Sequence, residues 1–355
     1  MAKPITKPIA KPIRRAPEPS EDDGMEGAEP HDSKFNPSKP NWKHVISTGS
    51  TILDLAISGG RLEEGGIPTG ILAEIAGDSG SGKTGILTEI CANVQAVGGR
   101  TRFADPERRL DKEYAQITGA SILDEDYFIP DTVTELFENY IDWDTDPSIP
   151  NVFAGDSLAA LSTDMEMEDE DKMGMRRAKE LSQELRKHCR TFYDKNVLMA
   201  CTNQIRTGQN NTKTTPGGNA VPFYSSLRLM CVPTYAGSKI EMKKKIRGVD
   251  QVEIIGVRTQ VTCRKNSLDN PFRKADIFVV FGYGIDDIRG NLMYLKENKK
   301  DSKFILGGKE IGASIGKAIS VIEEQNLENK LKKEAIALWR EIREAFHVER
   351  KRKKR

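Results

Sequence analysis

The chain has 355 residues, with 54 Lys and Arg against 53 Asp and Glu and a formal net charge of +1. Near-neutrality confines any contact with nucleic acid to local patches. No run of about 18 apolar residues is present, and the N-terminus MAKPITKPIAKPIRR has no apolar centre of a secretory signal, so the chain reads as soluble and cytoplasmic, with no membrane contact.

The length fits two domains, or one α/β domain with appendages. Five cysteines and four histidines are scattered without ligand or pair spacing, so neither a disulfide framework nor structural zinc is expected. Lys3-Pro4-Ile5, Lys7-Pro8-Ile9 and Lys11-Pro12-Ile13 repeat every four residues, and an acidic block from Glu18 to Asp32 follows. This composition buries too little apolar surface to fold alone, and residues 1–41 are expected to form a disordered arm.

From Trp42 to Ile285 the short β-rich runs ILAEIAG, TRFADPE, NVFAGDS, VLMACTN and LRLMCV alternate with helical segments. That alternation predicts an α/β core over 42–285, a mostly parallel sheet flanked by helices. IEMKKKI and VRTQVTC read as a further hairpin, and 286–355 as a small C-terminal α/β domain ending in a helix and the basic tail ERKRKKR.

The most informative stretch is GDSGSGKT, Gly77 to Thr84, which fits G-x-x-x-x-G-K-[ST] between a predicted strand and a predicted helix. Gly77, Gly80 and Gly82 are expected to adopt backbone angles closed to other residues. Successive N–H groups, from Gly77, Asp78, Ser79, Gly80, Ser81 and Gly82 into Lys83, Thr84 and Gly85, can then converge on phosphate oxygens at the helix's positive end. Lys83 would reach the β and γ phosphates of ATP, and the Thr84 hydroxyl would ligate Mg²⁺. Asp156 ends the strand NVFAGD, where it can orient the same Mg²⁺ or cap the following LAAL. Glu107, after another strand, is placed either as a general base for water or as a surface carboxylate.

Several segments in order resemble the bacterial RecA recombinase family: ISTGSTILDLAISGGRLEEGGIPTGILAEIAGDSGSGKT, FADPERRLDKEYAQITGA, GDSLAAL, KMGMRRAKELSQELRK, TNQIR, PGGNAVPFYSSLRL and RKNSLDNPFRKADIFVVFGYGI. The resemblance implies a DNA-dependent ATPase that assembles as a helical filament on single-stranded DNA and pairs it with double-stranded DNA. It makes Glu107 the residue that activates water, Asp111 and Tyr114 adenine contacts, and Gln204 a sensor of the γ-phosphate. It places DNA-binding loops at Asp164–Arg177, with Met173, Arg176 and Arg177, and at Thr207–Gly218 beside Arg206, with Lys213, Gly217 and Gly218. It also makes Lys265 a cation facing the phosphate of a neighbouring subunit.

The sequence departs from that family in ways that bear on function. The second trans-acting lysine is Ser267, the lysine before Phe223 is Pro222, the second loop is short and polar, and the acidic C-terminal tail is replaced by a basic one. Two other functions therefore stand beside the recombinase: a regulatory or DNA-coating ATPase without strand exchange, and a ring-forming helicase-like motor.

Overall fold

The computed structural model describes residues 42–163, 173–207, 213–215, 218–233, 238–348 and 350, all within the unit Pro37–Arg355. The arm expected over 1–41 lies outside the described residues. The strands of the main sheet are β1 (Leu72–Gly77), β2 (Arg100–Ala104), β3 (Tyr127–Phe128), β4 (Asn151–Gly155), β5 (Val197–Gln204), β6 (Leu227–Pro233), β7 (Lys239–Ile246), β8 (Val249–Asn266), β9 (Lys274–Val280) and β10 (Gly284–Ile285). Their order is β10-β9-β8-β6-β1-β5-β4-β2-β3, with β7 paired to β8 off that path. From β6 to β3 all neighbours are parallel. Beyond β6 the pairs are antiparallel, so the sheet is mostly parallel, as the alternating sequence pattern predicts.

The principal helices are α1 (Thr51–Ser58), α2 (Lys83–Ala96), α3 (Lys112–Ile117), α4 (Val133–Asp142), α5 (Met173–His188), α6 (Ala220–Tyr224), α7 (Asp287–Lys299), α8 (Ile315–Glu324) and α9 (Glu328–Ala345). The two-residue period of the strands sorts their side chains between two cores. Val152, Ala154, Leu198 and Ala200 pack with residues of α1 and α2. Phe153, Met199 and Cys201, one position out of phase, pack with Phe137 and Tyr140 of α4 and Leu181 and Leu185 of α5. Helix α4 starts at a reciprocal cap, in which the Thr132 hydroxyl accepts from Glu135 N–H and the Glu135 carboxylate accepts from Thr132 N–H.

The C-terminal elements join the first core: Leu292, Leu295, Phe304, Ile322, Leu331 and Trp339 are contiguous with α1 and α2. The expected hairpin is β7 and β8, but β8 runs for 18 residues and the ribbon extends past the rest of the sheet. Arg247 (φ 49°) and Gly248 (φ 86°), both left-handed, connect the two strands and match the ribbon's twist.

Candidate nucleotide site and nucleic-acid face

Parallel strands all end on one edge of the sheet, and that edge carries the chemistry. β1 ends at Gly77, the loop crosses Asp78–Gly82, and α2 opens at Lys83. Gly80 (φ 71°) and Gly82 (φ 84°) take the left-handed angles expected of them. Gly77 does not, and its role is close approach: a Cβ there would lie 2.5 Å from Ser81 Oγ and 2.6 Å from Cys231 O.

Lys83 is buried, and its Nζ donates to Asp78 O at 2.8 Å, folding the ammonium over the loop. Burial draws it below the ordinary lysine range, against the pull of Cys231, Asp156, Asp78 and Glu107. The Ser81 hydroxyl is buried without a hydrogen-bond partner. An unsatisfied donor and a cation resting on its own loop fit a phosphate-binding cradle, because an anion would satisfy both.

Thr84 Oγ1 donates to Asp156 Oδ2 at 2.6 Å, and Thr202 Oγ1 donates to Asp156 Oδ1. Burial raises the Asp156 carboxyl, while the hydroxyls of Thr202 and Thr84 oppose the shift. A hydroxyl and one carboxylate at this edge suit Mg²⁺, which retains waters and phosphate oxygens rather than requiring a full protein cage. Among the described residues no group of three or more His, Cys, Asp or Glu could hold a metal alone.

Glu107 stands beside this pair. Its Oε1 accepts from Ser157 Oγ at 2.7 Å and from Gln204 Nε2 at 3.0 Å, and its Oε2 pairs with Arg109 at 2.8 Å. The structure thus brings together Lys83, Thr84, Asp156, Glu107 and Gln204 from four separate sequence segments. Asp105, another carboxylate of the same segment, has other partners on its Oδ2. It accepts from Leu110 N–H and from Tyr127 OH, and the Tyr127 hydroxyl is pushed up to about 12 by burial and by that carboxylate.

Asp111 sits at the start of α3, where its Oδ1 accepts from Glu113 N–H at 3.0 Å. Tyr114 lies on α3, with its side chain outside the described residues. Sequence reasoning missed Ser157 and Thr202, which orient the two acids.

Of the expected DNA loops, the described residues are few. Residues 164–172 and 208–212 lie outside the described residues, as does Gly217. Met173 opens α5 rather than lying in a loop, and Arg177 on that helix donates to Ala159 O at 2.8 Å. Arg176 is half-buried, with Nη1 lacking a partner. Arg206–Thr207 pairs with Lys213–Thr214 as a short antiparallel ladder that begins two residues after Gln204. Gly218 (φ 61°) abuts α5, since a Cβ there would lie 3.1 Å from Ala178 Cβ.

Lys265 lies apart from Lys83. Its Nζ donates to Pro222 O at 2.9 Å and Phe223 O at 2.7 Å, while Phe223 itself is 73% exposed. Arg228 is turned inward onto the fully buried Glu74, which also accepts from Asn203 Nδ2 at 2.9 Å.

A parallel sheet whose strand enters a glycine-rich turn and an open helix N-terminus defines the P-loop class of α/β proteins. Within that class, the profile described as the RecA N-terminal domain matches residues 36–286, and the chain belongs to the RecA family. Protein RecA of Methylococcus capsulatus is 36% identical over 280 residues, covering 76% of this chain and 75% of that protein. Protein RecA of Delftia acidovorans is 32% identical over 304 residues, covering 81% and 78%, and that of Thermus thermophilus is 35% identical over 250 residues, covering 69% of each. Among the described residues no helix is long and apolar enough to cross a membrane.

Proposed function

We propose that this chain is a DNA-dependent ATPase that assembles on single-stranded DNA and pairs it with a homologous duplex, in recombination and repair. The observation that carries this reading is the chain Thr84–Asp156–Thr202 and Ser157–Glu107–Gln204, which joins the phosphate loop to the end of β5 and so to the segment beginning at Arg206. Bound Mg²⁺ would supply charge neutralisation at the phosphates.

The protein's own residues would do the rest. The loop N–H groups and Lys83 bind the phosphates, and Thr84 and Asp156 hold the metal. Glu107, oriented by Ser157 and Gln204, accepts the proton of the attacking water. Gln204 has one amide for Glu107 and can exchange it for a phosphate oxygen, so the state of the γ-phosphate is felt where the DNA segment starts. Lys265 of one subunit supplies charge to the phosphate of the next.

A regulatory ATPase without strand exchange is the second reading, favoured by the exposed Ser267 where a second cation is expected. Electron microscopy with single-stranded DNA and a slowly hydrolysed ATP analogue tests assembly: helical filaments are expected, whereas closed rings or bare DNA would reject the recombinase. Steady-state ATPase across protein concentration tests the shared site. Lys265→Ala should lower DNA-stimulated turnover, and Ser267→Lys should raise it. A rate per subunit indifferent to concentration, DNA and Lys265 would leave the regulatory reading.

A further inference from the structure

The edge of the sheet opposite the phosphate loop carries a cleft of about 370 Å³. Its floor comes from Thr69 to Ile71, just before β1, and from Asn196, just before β5. The length of β5, roughly 25 Å at 3.3 Å per residue, therefore separates it from Gln204. The floor is polar and already satisfied. Thr69 Oγ1 donates to Asn196 Oδ1, Asn196 Nδ2 donates to Ile149 O at 2.6 Å, and the N–H groups of Thr69 and Gly70 donate to His44 O and Val197 O. Gly70 (φ 82°) allows Tyr193 to lie against the chain, since a Cβ there would stand 3.2 Å from the tyrosine's Cα and Cδ2. The walls are two rings, the half-buried Trp42 and Tyr193, which is 49% exposed. Each has a cation over it, Arg61 at 5.3 Å from the centre of Trp42 and Lys43 at 5.2 Å from that of Tyr193. No carboxylate lines the cleft, and among the described residues neither cation forms an ion pair. Glu63 and Glu64, which follow Arg61 in the chain, pair instead with Arg340 and Lys332.

We propose that this cleft is a second nucleotide subsite, separate from the phosphate loop, which takes one base together with its phosphate. A cation resting on a partly exposed ring is weakly held, whereas a phosphate would give both cations charge-assisted hydrogen bonds. The phosphate takes Lys43 and Arg61, and the base stacks on the ring faces that they leave, a contact open to every base. The volume is at the small end for ligand sites, which suits one nucleotide and not a length of strand. Neither Mg²⁺ nor a triphosphate is called for, because the cleft offers no carboxylate for a metal and its floor N–H groups are already bonded. A free mononucleotide and one nucleotide of a single strand present this same chemistry.

The test is tryptophan fluorescence of the full chain without Mg²⁺. Trp143 and Trp339 are 2% and 3% exposed, so quenching by a ligand in solution reports on Trp42. Thymidine 5′-monophosphate should quench saturably below about 1 mM, and should do so equally in Lys83→Ala, whose phosphate loop is disabled. Thymidine and inorganic phosphate should each bind about tenfold more weakly, since each makes only part of the contact. Tyr193→Ala, and Lys43→Gln combined with Arg61→Gln, should weaken the mononucleotide by a similar factor while ATP turnover stays at the parent's rate. A short oligothymidylate identifies the source. Tighter binding than the mononucleotide, lost in the same variants, supports a DNA strand as the occupant, and equal or weaker binding supports a free nucleotide. Absence of saturable quenching, quenching that survives both sets of substitutions, or quenching lost in Lys83→Ala overturns the subsite. Thymidine binding as tightly as its monophosphate overturns it too, because the cations would then have no part in it.

Discussion

At the scale of single residues, the site is a set of carboxylates and hydroxyls whose hydrogen bonds fix who can act. Glu107 is oriented on one oxygen by Ser157 and Gln204, and its second oxygen pairs with the exposed Arg109 at 2.8 Å. Glu107→Gln should therefore bind ATP as the parent does and hydrolyse it about 10²-fold or more slowly, because the amide keeps the shape but cannot take a proton. Filter binding and steady-state turnover check the two halves separately. Lys83→Ala should instead lose nucleotide binding along with turnover, and unchanged binding in that variant would remove the phosphate assignment. Glycine was only partly legible from sequence. The motif marked Gly77, Gly80 and Gly82 alike, yet two of them serve by positive φ and Gly77 by the 2.5 Å that a Cβ would leave to Ser81. Ser157 and Thr202 carried no signal, since a hydroxyl in a strand or turn has many ordinary uses.

Elements raise a different question, which is how α2, with the phosphate loop at its start, is joined to the rest of the chain. Glu89 on α2 accepts from Ile285 N–H of β10 at 2.9 Å. Gly49 (φ 83°) and Gly284 (φ 103°) leave it room, for a Cβ at either would stand 2.9 Å and 2.4 Å from its carboxylate oxygens. Asp287, at the start of α7, accepts from Thr51 N–H and Oγ1, both at 2.7 Å, and from Asn291. Burial, with Asp287 adding to it, pushes Glu89 up to about 7, and burial does the same to Asp54 on α1. A carboxyl raised in the folded state stabilises the fold fully below its unfolded value of about 4.5, and that contribution is lost as pH climbs through 7. Glu89→Gln should then melt higher than the parent at pH 8, by on the order of 2–4 °C. At pH 5 the gap should close or reverse. Asp54 keeps part of the slope, so the pH dependence of Tm should shrink without vanishing, and an unaltered slope would assign the pH response elsewhere. None of this could be read in advance, because in the sequence Glu89 is one polar position of a helix and its partner lies 196 residues away.

Over the whole molecule, the alternating pattern gave the parallel strands and their helices correctly, since each strand is a short apolar run that two helix layers must cover. The pattern carries no information on whether a late segment packs on its own or on the core. It predicted a small C-terminal domain over 286–355, and Trp339 of α9 is 3% exposed within the same apolar cluster as α1 and α2. Two guanidiniums approach its ring, Arg273 at 5.2 Å from the turn before β9 and Arg343 at 5.3 Å from its own helix. Ion pairs of Lys332 with Glu64 and of Arg340 with Glu63 lie on the surface over this contact and add little. We propose that the C-terminal segment and the ATPase core unfold as one. Trp339→Ala should then remove about 3–5 kcal/mol from a single transition, seen together by calorimetry and by release of a bound ATP analogue. An autonomous domain would behave differently: its own transition would fall while the nucleotide-bearing core melted where it does in the parent. The coupled outcome matters for function because α1 stands between the two regions. It receives Asp287 at its N-terminus and is packed by α9, so a partner that displaced α9 would loosen the same core that holds α2 and its phosphate loop.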